Sequence, residues 1–376
     1  MQTIAILGAS GFIGSRAVEM LHLGGVADVR PIVRTAARLA PLSRFDLDAR
    51  IADARHQEAL EAAFSGCDVV VHTVAGSCEL IRSVIEPVYC AACRAGVGRL
   101  IYLSSASVHG QAPLPGTDEE TALPRRHALP YNGAKAGAEQ MLLRLRKKGD
   151  VEVVVLRPGI VYGPRSSWIG GFADTLLRGE AYLIDGGRGA CNAIYVDNLI
   201  HGICTAGAAS AVDGEAFFLG DREQVTWADL YAPIAHALGF ELDQIESVAP
   251  IESPTWLERV LALRRTRRVR SLGAFLPVRL RRRLSAEIAA RSPGPSTGSN
   301  RRMLRPTLEM SLLQTGRYWL PYEKAKRVLG YDPPVSFAEG CRNTIGWMDF
   351  AGYPVVDHSV LFTLHGDRTR SGNLHE

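Results

Sequence analysis

Tyr131 and Lys135 stand four residues apart in the segment YNGAKAGAEQMLLRLRKKGD, a spacing that puts both side chains on one face of a helix. Ser105 ends the apolar segment RLIYLSS that precedes them. A phenol, an ammonium and a hydroxyl are the groups needed to move a proton at a carbinol while a hydride moves at its carbon. The hydride needs a carrier, and the chain opens on a loop suited to one, Gly8-Ala9-Ser10-Gly11-Phe12-Ile13-Gly14. The first Gly permits a tight turn, the second lets backbone approach a pyrophosphate, and the third lets a helix pack close to a strand. The phosphates then meet free N–H groups at the positive end of that helix. With an oxidised nicotinamide beside it, a cationic Lys135 is expected to lower the Tyr131 pKa toward neutrality. Tyr131 then serves as general base for oxidation or general acid for reduction. Ser105 shares the substrate oxygen, and Lys135 also holds the nicotinamide ribose.

The elements that must position these groups alternate along the first 160 residues. TIAILGA, DVRPIVR, DVVVHTVAG, RLIYLSSASV and VEVVVLRPGIVYG read as strands; GFIGSRAVEMLHLGG, DARHQEALEAAFSG, the region 79–96 and the Tyr131 segment read as helices. Continuous β-branched strands alternating with helices predict a parallel, doubly wound sheet buried on both faces. The second strand ends Ile32-Val33-Arg34, with Arg38 one turn on. An Arg there accommodates a 2′-phosphate where an acid would bind a 2′-hydroxyl, so NADP(H) is favoured and NAD(H) stays open. Asp53 follows the strand-like ARIADA; it either accepts from the adenine amino group or caps a helix. Beyond Pro164, GGFADTLLRGE and VTWADLYAPIAHALG read as helices, the second with Thr226 as N-cap and Gly239 just past its end. NAIYVDNLIHGICTAG reads as a strand entering a helix, and YEKAKRVLG and FAEGCRNTIGWMDF follow nearer the C-terminus.

The pieces GASGFIG, LSSASVHG, YNGAK, LRPGIVYGP, NAIYVDN, VTWADLY and KAKRVLGYDP resemble the extended short-chain dehydrogenase/reductase superfamily, in its NAD(P)-dependent epimerase/dehydratase group, over about residues 1–350. The resemblance implies a Rossmann domain over 1–165 and a smaller substrate domain over 166–350, with about 192–212 packing back on the first. It implies cofactor contacts from the glycine loop, Ala75 and Pro158, and a substrate cleft near Ser107, Arg165, Asn192 and Tyr195. Dehydratases of nucleotide sugars carry Thr-Asp-Glu where this chain has Ser105-Ala106-Ser107, which argues against a dehydratase. Cys191 stands where many sugar-nucleotide enzymes place an Arg, although Arg188 or Arg165 can substitute. His109 replaces the Tyr of the VYG motif and reads as a satisfied, half-buried His. The Asn-Val-x-Gly-Thr pattern is absent, and Arg82 to Pro87 occupy its place. NAIYVDNLIHGI and YEKAKRVLGYDP resemble the 3β-hydroxysteroid dehydrogenase branch, which oxidises a ring carbinol on an apolar substrate.

Composition bounds the remaining classes. The 376 residues are 47% hydrophobic and 22% charged, which excludes disorder throughout, and no apolar run is long enough to span a bilayer. Seven scattered Cys and no signal-peptide pattern lead us to expect a cytoplasmic protein. Residues 256–305 carry 14 Arg against Glu258 and Glu287, a net +12 that leaves −8 on the rest of the chain. A basic insert on an acidic body is not the footprint of a nucleic-acid binder. The stretch 256–285 mixes Trp256 and several Leu with Arg, so it reads either as a peripheral contact with anionic membrane or as a solvated surface. The insert and its linker are placed at 252–312 and a tail at 351–376. Cys90 and Cys93 belong to a helix face, no metal set is expected, and Asp118 to Glu120 read as a solvated loop. The expected function is oxidation, reduction or epimerisation at a secondary alcohol of a sugar or nucleotide-sugar. The alternatives are a sterol-like or lipid alcohol, and a cofactor-binding scaffold or redox sensor. A small-molecule substrate is expected, and a homodimer is left open.

Overall fold

The computed structural model describes residues 2–251 and 306–356. Residues 256–285 lie outside these, so the membrane-contact expectation is not addressed by the fold. The strands are β1 (Thr3–Leu7), β2 (Asp28–Val33), β3 (Arg50–Ile51), β4 (Val69–His72), β5 (Arg99–Leu103), β6 (Glu152–Pro158), β7 (Ile160–Tyr162), β8 (Tyr182–Ile184), β9 (Ala190–Cys191), β10 (Ala193–Tyr195), β11 (Ala216–Leu219), β12 (Val225–Thr226) and β13 (Glu246–Val248). The α-helices are α1 (Phe12–Leu23), α2 (Gln57–Phe64), α3 (Cys78–Ser83), α4 (Ile85–Arg94), α5 (Pro130–Arg146), α6 (Ser167–Leu177), α7 (Val196–Ala208), α8 (Trp227–Ala237), α9 (Leu308–Gln314), α10 (Glu323–Leu329) and α11 (Phe337–Phe350).

Seven strands form one parallel sheet in the order β11-β6-β5-β4-β1-β2-β3. This is the expected Rossmann-like α/β architecture. The two-residue period of a strand divides its side chains between two helix layers. Ile4, Ile6, Val69, Val71, Val154 and Leu156 join α1 and α7 in one core. Ala5, Leu7, Val70, Val153 and Val155 join α2, α4 and α5 in the other. Because both faces are covered, the strands read as continuous apolar runs. The order reverses between β1 and β4, the point where open sheets of this kind leave a crevice at their carboxyl ends.

Two elements divide where the sequence reads as continuous. The helix expected over 79–96 is α3 and α4, separated at Val84, whose side chain is fully buried. The strand read from VEVVVLRPGIVYG breaks at Gly159. β6 stays in the main sheet, while β7 pairs in parallel with β10. A Cβ on Gly159 would lie 1.9 Å from the Asn192 carbonyl oxygen, so only glycine lets the chain cross there. The Ile160 N–H donates to that same oxygen at 2.7 Å.

The remaining described residues cover the carboxyl end of the sheet. α8 starts at a capping box in which the Thr226 side chain accepts from the Asp229 N–H while the Asp229 carboxylate accepts from the Thr226 N–H. It ends before Gly239, at φ +81°. Residues 307–312, expected to belong to insert and linker, fall in α9 and its N-cap Thr307. The Ile251 N–H donates to the Ser311 hydroxyl at 3.0 Å, so the chain on either side of 252–305 meets side by side. Residues 351–356, expected to belong to a tail, are packed against the fold. Val355 is buried, and the Val356 N–H donates to the Ala237 carbonyl. The Asp118–Glu120 segment is not simply solvated. Glu119 accepts from the Phe218 N–H at 2.9 Å and Glu120 pairs with Lys324 at 2.8 Å.

Candidate active site

A cleft of about 780 Å³ lies at the carboxyl ends of β1 and β4 and runs under the C-terminal elements. At one end is the glycine loop. Gly8 turns at φ +93°, where a Cβ would also meet the Thr73 hydroxyl at 2.7 Å. A Cβ on Gly14 would lie 2.3 Å from the Gly8 carbonyl oxygen, so α1 can approach β1 only without one. No side chain caps α1, and its first-turn N–H groups have no intrahelical acceptor. Gly8, Ser10, Gly11, Phe12, Ile13 and Gly14 all border the cleft. An uncapped, positively polarised helix end behind a side-chain-free loop fits the pyrophosphate of a dinucleotide. Arg34 and Arg38 border the same end, with Asp53 and Ala75, while Pro158 borders the cleft from the end of β6, three strands from β1. Asp53 does not cap α2, whose N-cap is His56. Its carboxylate is held by Arg55 at 2.5 Å, and that hydrogen bond pulls its pKa down to about 2.

The end of β5 and helix α5 bring Ser105 and Tyr131 to the cleft, whereas Lys135, expected to hold the nicotinamide ribose, does not border it. Ser105 follows β5 and its hydroxyl lies 2.9 Å from that of Ser107; both border the cleft, as does Tyr131. α5 carries Tyr131 and Lys135. It is fixed to β6 by a buried ion pair, Glu139 to Arg157 at 2.8 Å. Arg157 also reaches the His109 ring nitrogen at 3.2 Å. Burial, then the Arg157 charge, lowers the His109 pKa to about 4, so this His is neutral and half-buried. Lys135 is 3% exposed, and its ammonium donates to the Leu103 carbonyl at 2.7 Å. Burial lowers its pKa to about 8, with Glu139 opposing. The buried His72 ring is kept neutral, its pKa lowered to about 3 by burial and then by the Lys135 charge.

The expectation for Tyr131 holds for a site with oxidised nicotinamide beside it; the chain's own groups act on the phenol in the opposite sense. Burial, then the Glu309 charge, raises its pKa to about 12, and a hydrogen bond with Ser105 only partly offsets them. The Lys135 ammonium is turned to the Leu103 carbonyl.

Toward the C-terminal elements the cleft is walled by Trp168, Trp227, Leu313 and Leu320, with Ser167, Asn192 and Glu309 beside them. Asn192 borders it, with its side chain tied to the strap that follows α9. Its amide donates to the Tyr318 carbonyl at 3.2 Å and accepts from the Leu320 N–H at 2.6 Å. Arg165 and Tyr195 do not border the cleft. Arg165 lies 3.6 Å from Glu19 on α1, and Tyr195 is buried with its ring 5.4 Å from that of Tyr162. Sequence reasoning missed Gln111 and Glu309, which do border it. The Thr307-Leu308-Glu309 start of α9 is a readable helix signal, but nothing local says that the helix returns to the cleft. Among the described residues no group of His, Cys, Asp and Glu is placed to hold a metal, and no helix is long and apolar enough to cross a membrane.

Residues 4–220 match the model of the NAD dependent epimerase/dehydratase family. The chain is 29% identical over 231 residues to a 4-hydroxy-2-methyl-3-oxo-4-farnesyl-3,4-dihydroquinoline-1-oxide ketoreductase of Stigmatella aurantiaca, covering 58% of this chain and 68% of that protein. It is 25% identical over 376 residues to a 3beta-hydroxysteroid-dehydrogenase/decarboxylase of Arabidopsis thaliana, covering 90% and 78%. A dTDP-glucose 4,6-dehydratase of Streptomyces venezuelae, solved with NAD bound, shares the fold. Its TM-score is 0.67 at 22% identity, over 93% of this chain and 97% of that one.

Proposed function

The chain belongs to the NAD-dependent epimerase/dehydratase family, and from that membership we propose that it is an NADP(H)-dependent dehydrogenase or reductase acting on a secondary alcohol, or its ketone, of an apolar prenyl- or sterol-like substrate. The observation that carries this reading is the lining of the cleft beyond Tyr131. Trp168, Trp227, Leu313 and Leu320 wall it, and among the described residues the cations bordering the cleft are Arg34 and Arg38, at the cofactor end. A nucleotide-linked sugar, the class ranked first on sequence, brings a pyrophosphate that needs countercharge or hydrogen-bond donors. An apolar ring or chain needs only the surface those residues offer. The farnesyl-bearing and steroid substrates in the names of the two relatives support the same class.

In this reading Tyr131 exchanges the proton of the reacting oxygen, and Ser105 hydrogen-bonds that oxygen and holds it against the phenol. Ser107 orients Ser105 through the 2.9 Å contact. When bound, the nicotinamide supplies or accepts the hydride. Lys135 supports the site from below as a buried cation, and the Trp and Leu wall excludes water from the reacting carbon. Arg34 and Arg38 favour a 2′-phosphate at the adenosine end.

Turnover assays with NADP(H) and NAD(H) against a 3β-hydroxysterol, a farnesyl-bearing ketone and UDP-glucose test the proposal. The expected result is NADP(H)-linked turnover of one of the first two. Epimerisation of UDP-glucose on a retained NAD(H) would overturn it in favour of the sugar reading.

A further inference from the structure

Glu309 is the one carboxylate besides Asp53 among the described residues that border the cleft. It stands in the first turn of α9, partly buried, on the helix that also presents Leu313 to the cleft. Among the described residues no cation is in ion-pair contact with it. The Gln111 amide donates to one carboxylate oxygen at 3.1 Å. Gln111 also borders the cleft, and its own carbonyl oxygen is 3.5 Å from the Asn132 amide, one residue along α5 from Tyr131. A chain Glu309–Gln111–Asn132 therefore links the cleft roof to the catalytic helix. Among the described residues no donor reaches the second oxygen of Glu309, in a cleft also lined by Trp168, Trp227, Leu313 and Leu320.

We infer that Glu309 is a specificity-determining residue of the proposed reaction: it accepts a hydrogen bond from a hydroxyl or N–H group that the apolar substrate carries close to its reacting carbinol, and it turns away substrates bearing a carboxylate or phosphate there. The inference rests on the dehydrogenase reading above and names the substrate class more closely. A substrate that seals the cleft removes water from the carboxylate. Leaving a buried charge without a donor is costly, and setting a second anion beside it adds repulsion at low dielectric. A site built to receive a donor rejects an analogue that lacks one, or that replaces it with an anion, more strongly than an apolar pocket rejects a methylene. The reach of this charge to the reacting group is visible at Tyr131, whose pKa it raises.

The test compares wild type with Glu309→Gln, which keeps the shape and the contact to Gln111 but removes the charge. Both are given NADP+ and a matched pair of probes, a 3β-hydroxysterol bearing a second hydroxyl beside the carbinol and the same sterol bearing a carboxylate there. Wild type is expected to prefer the diol in kcat/KM by at least about tenfold, and the variant to bring the two within about threefold. The ascending, acid-side limb of the pH–rate profile on the diol is expected to move to lower pH in the variant, a shift that a merely structural role for Glu309 would not produce. An unchanged preference in the variant, or a wild-type preference for the carboxylate, overturns the inference while leaving the dehydrogenase reading intact. Turnover of neither sterol nor of the farnesyl-bearing ketone overturns the parent reading and the inference with it. The thermal shift induced by NADP(H), measured on both proteins, shows that the variant is folded with its cofactor end intact.

Discussion

Burial and the Glu309 carboxylate raise the Tyr131 pKa to about 12 and so oppose its action as a base near neutrality. Ionising the phenol creates an anion, so any positive charge brought close lowers that value and any negative charge raises it. Oxidised cofactor carries such a charge on its ring and reduced cofactor does not. The phenolate absorbance of wild type minus that of Tyr131→Phe is therefore expected to titrate at about 12 in the free protein, at lower pH with saturating NADP+, and little changed with NADPH. Equal titrations with and without NADP+ would remove Tyr131 from the role of general base. The spacing of Tyr131 and Lys135 was legible in the sequence because four residues fix a helical face. The direction in which the Lys135 ammonium points was not, because it depends on the Leu103 carbonyl arriving from a different strand.

Local chemistry announces where helices begin, and α8 is the clearest case. Thr226 and Asp229 satisfy each other's N–H groups, and Trp227, the next residue, walls the cleft. Thr226→Ala is expected to lower unfolding stability by about 1 kcal/mol, read as a lower urea midpoint at unchanged slope. A midpoint equal to wild type would mean that packing of Trp227 alone holds the helix start. The alternating strands and helices of the first 160 residues were readable for the same reason, since each apolar run carries its own period. What the sequence hid was every decision made across elements. Gly159 separates two sheets because Asn192 crosses there. Tyr195 turns into the core because β10 pairs with β7. Glu309 reaches the cleft from beyond a stretch of 54 residues that says nothing about where the chain returns.

The cleft is a seam between the sheet and the elements that follow it, with Gly8 and Arg34 on one side and Trp227 and Leu313 on the other. A ligand that binds only the folded form stabilises it by mass action, about 2.7 kcal/mol at a hundred times its Kd. Calorimetric scans at matched concentrations are expected to show a larger upward shift of Tm with NADP(H) than with NAD(H). The reverse order would assign Arg34 and Arg38 to another task. The seam is also anchored at a point where the backbone could have been free. The Ile251 N–H and the Ser311 hydroxyl hold the two ends of the 252–305 stretch together at 3.0 Å. This contact is a clasp. Where two chain positions are joined in this way, lengthening a flexible connection between them costs little, about 0.6 kcal/mol for each doubling. A tag or domain grafted within 252–305, between Ile251 and Ser311, is therefore expected to leave the wall that faces the substrate as it is.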